Sequence, residues 1–169
     1  MSFIEIVVGT PAWVWVLFVF LMANGIRALN DRVIEIKSLF IMPLVFLLWG
    51  GVSVSYELTF FFWGGTAMLW GLLIGFGFGW RVLSRGPQLK SKEGSDLIIW
   101  PGTSWPIVFM IIAFITNYTF NICLNISPEL RAVLSFNILF GFLSGLNSGV
   151  IWGKILNLYL TFKHGKANF

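Results

Sequence analysis

The sequence predicts an all-α integral membrane protein, a single domain of about five transmembrane helices. Three observations carry this. Of 169 residues, 57% are apolar and only 11% charged, less than half of the roughly 25% charge that covers an ordinary globular exterior. The few charges are clustered, leaving positions 6–26, 38–56, 58–80, 97–128 and 132–153 without any. A helix needs about 20 apolar residues to cross a hydrocarbon layer, and four of these gaps are close to that length. Helices are required because an open strand leaves its backbone unpaired in lipid, and the alternation of a membrane barrel is absent.

The spans are placed in chain order. The first lies at 12–29, ended by Arg27, Asn30 and Asp31; Glu5 and the absence of Lys or Arg ahead of it argue against a cleaved signal peptide. The second and third occupy 39–56 and 59–80, separated by Glu57. The fourth gap is too long for one crossing and is punctuated by Pro101-Gly102 and Pro128. A span at 105–124 fits inside it, with Pro106 in the first turn, where proline is tolerated. The fifth occupies 132–152, with the remainder as a tail.

Orientation comes from the basic residues. Arg27, Arg32, Lys37, Arg81, Arg85, Lys90, Lys92, Lys154, Lys163 and Lys166 fall on one side, and Arg131 alone on the other. The positive-inside rule makes the first side cytoplasmic, with the N-terminus outside. The basic residues then lie beside membrane ends, where they meet anionic lipid headgroups; nucleic acid is not implied. Trp13, Trp15 and Trp63 mark outer ends, and Trp80, Trp100, Trp105 and Trp152 inner ends, as aromatic belts do. Trp49 and Trp70 lie deeper, as packing residues. The stretch 81–103 has turn signals at Gly86-Pro87 and Glu93-Gly94-Ser95 between β-prone runs. It admits a small cytoplasmic hairpin between helices 3 and 4, or a solvated loop.

Two patterns inside the spans concern function. Gly71, Gly75 and Gly79, and Gly141, Gly145, Gly149 and Gly153, repeat by four. Each set forms a bare strip on one helix face that admits a neighbouring backbone, within the chain or on another membrane protein. Asn117, Asn121 and Asn125 also repeat by four, and Asn24, Asn137 and Asn147 add further amides. In lipid an amide must point inward, as interhelical glue or as the lining of a polar path.

Enzymatic readings lack their residues. His164 is the only histidine and Cys123 the only cysteine, so neither a His-based triad nor a multi-Cys/His metal site assembles, and no cofactor is implied. Asp31 and Glu35 are spaced to share a helical face in a solvated ion cluster with Arg32 and Lys37.

Thr10-Pro11-Ala12-Trp13-Val14-Trp15, Gly25-Ile26-Arg27, Met42-Pro43-Leu44 and Pro101-Gly102-Thr103-Ser104-Trp105-Pro106 together resemble a family of uncharacterised bacterial multi-pass inner-membrane proteins. That family carries a Pro-Gly-Ser-Trp-x-Pro signature at the entry to a late span. Here one extra residue separates Gly102 from Ser104, and Pro106 directly succeeds Trp105. The resemblance implies a multi-pass protein of the bacterial inner (cytoplasmic) membrane and no specific activity. Two functions are expected: a helix-packing or assembly subunit partnered by itself or another membrane protein, or a small transporter lined by the asparagines.

Overall fold

The computed structural model describes residues 12–81, 90–91, 97–100 and 102–167. Five α-helices dominate it: α1 (Ala12–Arg27), α2 (Ile41–Glu57), α3 (Phe61–Arg81), α4 (Trp105–Ile126) and α5 (Leu134–Ala167). Short 3-10 turns, Ile36–Phe40 and Pro128–Ala132, lead into α2 and α5. Among the described residues, four stretches are long and apolar enough to cross a membrane: Lys37–Glu57, Phe61–Arg81, Trp105–Ile126 and Leu134–Lys163. Helix α1 has 16 described residues, or about 24 Å at 1.5 Å per residue, short of the hydrocarbon thickness. The opening Thr10-Pro11 lies outside the described residues.

Three departures from the sequence reading have physical causes. The fifth helix does not stop near 152 but continues to Ala167, 34 residues in all. Ile155, Leu158 and Phe162 recur at helical spacing past Lys154, and Leu39, Ile155 and Phe162 form a buried cluster. The tail therefore has its own apolar face, held by the 3-10 turn before α2. Second, Asp31 and Glu35 share no helical face, because Arg32–Glu35 is a strand, β1. Strand β1 pairs antiparallel with β3 (Leu97–Trp100), and β3 pairs on its other side with β2 (Lys90–Ser91), giving the order β1-β3-β2. A β-branched run opposite another (Val33 on Ile99, Ile34 on Ile98) prefers an extended pleat to a helix. The turns read at Gly86-Pro87 and Glu93-Gly94-Ser95 lie outside the described residues.

Third, Trp70 is not packed within the chain: it is 66% exposed at the middle of α3. Trp49, by contrast, is half-buried and stacks on Phe46 at 6.5 Å.

The sheet is tied to the helices where the Pro-Gly punctuation falls. The Gly102 N–H donates to Asp31 Oδ1 at 2.7 Å, and the Thr103 N–H to the Ala28 carbonyl at 2.9 Å. A β-carbon on Gly102 would collide with the Leu29 carbonyl, so only glycine lets the two connections run this close.

The cores sit at different heights along the bundle. Val54, Leu58, Met68, Phe120 and Phe140 pack at the end opposite the sheet, where Phe140 meets Phe120 edge to face at 4.7 Å. Leu21, Phe46 and Ala113 join α1, α2 and α4 farther toward the sheet.

Candidate functional site

The most extensive interface is between α3 and α5, and all seven predicted strip glycines are in it. A β-carbon built on Gly141 would strike the Gly64 carbonyl; on Gly145, that of Met68; on Gly149, that of Leu72; on Gly153, that of Phe76. Reciprocally, Gly71 faces the Phe142 carbonyl, Gly75 that of Leu146 and Gly79 that of Val150. Residue numbers rise together on both helices, so α3 and α5 run parallel, with α4 returning between them. Such spacing brings backbone to backbone, where Cα–H groups meet carbonyl oxygens. Both strips are occupied by each other within one chain.

One asparagine sets the register of this pair. Asn137 is 0% exposed, and its Oδ1 accepts from the Phe60 N–H at 3.0 Å, a separation of 77 residues. The Gly64–Gly141 contact has the same offset, 141 minus 64. Its Nδ2 donates to the carbonyls of Arg131 at 3.0 Å and Val133 at 2.7 Å. The amide therefore caps the start of α3 and closes the turn into α5 at once.

The other amides do not form one stripe in one environment. Asn117 is buried, Asn121 half-buried and Asn125 exposed. Each donates to its own helix four residues back: Asn117 to Ala113 at 2.9 Å, Asn121 to Asn117 and Asn125 to Asn121 at 2.8 Å. Asn24 likewise donates to Phe20 at 2.8 Å. These are local bonds that any helical asparagine can make.

Two cavities flank α4 and α5. The smaller, about 10 Å³, is lined by Asn117, Asn147, Ser144 and Ser148 among apolar neighbours. Asn117 Oδ1 and Ser144 Oγ are buried there without a hydrogen-bond partner. Its size approaches that of one water molecule. The larger, about 290 Å³, lies toward the sheet end, between α1, α2, α4 and α5. Phe46 and Ile151 line both and so stand between them.

The larger cavity is mostly apolar, with Phe109 and Met110 in its wall and Asn24, Ser38 and Lys154 as polar groups. The Lys154 ammonium lies 5.4 Å from the centroid of the Trp105 ring, a cation–π contact. Sequence reasoning treats Lys154 only as a marker of the helix end. The signal it misses is the apolar run Ile155 to Phe162, which shows that the lysine interrupts a helix and does not end it. Cys123 is half-buried and free. Among the described residues, no three metal-ligating side chains converge.

Comparison with known proteins finds no matching protein family, curated protein or solved structure. The family resemblance therefore rests on its short motifs alone.

Proposed function

We propose that this chain is a non-enzymatic integral membrane protein of five spans that acts as an assembly subunit. Its α3–α5 pair is the rigid post, and the outward face of α3 is the surface offered to another transmembrane helix, of a second copy or of a different membrane protein. The observation that carries this is Trp70. Tryptophan favours the headgroup level, where its N–H is solvated, yet Trp70 sits at the middle of α3 and 66% exposed. Gly77, two turns along, has nothing within 4 Å of a β-carbon position, which leaves a second open place on α3. A helix seated there would cover the indole and accept a hydrogen bond from its N–H. The glycine strips themselves are already filled from within the chain.

In this reading the membrane is a bacterial cytoplasmic membrane, with α1 completing the first span, the N-terminus outside, and the sheet β1-β3-β2 on the cytoplasmic face. A reporter active only in the cytoplasm should work after Lys37 and after Phe169 and fail at Glu57 and Glu129; activity at Glu57 would overturn the topology. The assembly role is tested by affinity purification in mild detergent. Trp70→Leu should lose the second copy or partner helix that wild type retains, with the thermal stability of the monomer unchanged. An unaltered complex, or a wild-type chain that is monomeric throughout, sinks the proposal.

Transport is the second reading, and one observation favours it. The two cavities share Phe46 and Ile151 as lining, and the smaller one is bordered by unpartnered oxygens of Asn117 and Ser144. Against it, the three stripe asparagines spend their N–H groups on their own helix and differ in burial, so they line no continuous path.

A further inference from the structure

The 290 Å³ cavity lies just below the usual ligand-site range of about 300–1,000 Å³. It has room for a stretch of one hydrocarbon chain and not for two side by side. Its wall is apolar along Phe46, Phe109 and Met110. It opens at Ile41 and Trp105, which line it while remaining 58% and 44% exposed. At that rim stands Lys154, over the Trp105 ring. The ammonium is half-buried, and no carboxylate among the described residues offsets it. A partly desolvated cation is costly unless an anion meets it, and the neighbouring apolar chamber selects what that anion is attached to.

We infer that this cavity is a lipid site that takes one acyl chain of an anionic membrane lipid, with the phosphate held at Lys154. The chain lies along Phe109 and Met110 toward Phe46 and Ile151. The headgroup stays at the rim, where Ser38 and Asn24 can add hydrogen bonds. The site is independent of the assembly surface on α3, and the lipid measurement does not depend on which leaflet this end faces. Its failure is therefore distinguishable from failure of the topology or of the Trp70 interface.

The test is lipid retention by the full-length chain in mild detergent, measured by native mass spectrometry with phosphatidylglycerol and phosphatidylcholine of identical chains. Wild type should prefer phosphatidylglycerol by about fivefold, the factor for one basic residue near an anionic lipid. Lys154→Gln should abolish the preference and keep weak binding of both lipids, while Lys154→Arg should preserve it. Met110→Trp, which narrows the chamber with a rigid ring, should weaken retention of both lipids with its thermal stability in lipid-free detergent retained. Excess inorganic phosphate should not displace the lipid. Three outcomes would overturn the site: an unchanged preference in Lys154→Gln, unchanged retention in a folded Met110→Trp, or displacement by free phosphate.

Discussion

Helix α5 meets the rest of the chain along two seams built on opposite principles. Toward α3 it presents glycine, and the two backbones touch from Gly64 to Gly79 with no side chain between, about 22 Å of helix. Toward α1, α2 and α4 it presents Ser144, Asn147, Ser148, Ile151 and Lys154, and both cavities lie along this side. Close backbone contact has one register, because any slip puts a side chain where only hydrogen fits. Packing through large side chains tolerates gaps, since one ring can turn aside without moving its helix. A small membrane protein can thus be rigid along one seam and accommodating along the other. The accommodating seam is where a ligand can enter.

The sharpest way to break the contrast is to put bulk into the rigid seam. In Gly145→Leu the first added carbon meets the Met68 carbonyl, which belongs to a helix backbone and cannot rotate away. The loss should be upwards of about 3 kcal/mol, the top of the usual range for overpacking. Gly77→Leu is the control on the same pair: its β-carbon meets nothing within 4 Å, and the better helix propensity of leucine should leave stability level or slightly raised. Thermal unfolding in detergent reads both. Equal losses would mean that the strip has no special role.

Next in size is Asn137→Ala, which attacks register without adding volume. It strands the Phe60 N–H, whose partner is the Asn137 amide oxygen, while the Arg131 carbonyl keeps its bond from the Thr59 N–H at 3.1 Å. Leaving that donor unpaired should cost about 1–2 kcal/mol, measured in the same assay, where an effect under a few tenths would show that the glycines alone hold the pair in step.

What the sequence disclosed divides along the same line. Glycine at every fourth position has one physical use in a helix, so the strips were legible as close-packing faces. Their partner was not, because a strip records that a backbone approaches and not whose. Asparagine at every fourth position is ambiguous, since an amide can bond forward to another helix or back to its own; here Asn117, Asn121 and Asn125 bond back. By composition Asn137 looks like one more of these amides, although its role depends on Phe60, far away in sequence. The cavity was illegible for a different reason. Its volume results from side chains on four helices failing to fill a space, and no single segment encodes that. Strand β1 escapes notice because four residues between two spans are too few to show alternation.

The smallest effect expected is at Asn121, and it sharpens the comparison because it lies on the tolerant seam. Its Nδ2 donates at 2.8 Å to the carbonyl of Asn117, an acceptor that a helix already supplies with a backbone N–H four residues on. Asn121→Leu therefore strands nothing, and the added apolar surface suits a half-buried position. The change in stability should stay below about 0.6 kcal/mol, the average for an interhelical hydrogen bond in a membrane. A second measurement at the same position addresses transport directly. With Cys123→Ala removing the native thiol, Asn121→Cys should resist a membrane-impermeant thiol reagent added from either side, because packed helices exclude its water. A conducting path would carry water to that cysteine, and rapid labelling would promote transport over assembly. Loss of stability well beyond a hydrogen bond would show instead that Asn121 reaches across to another helix and that the seam is tighter than its cavities imply.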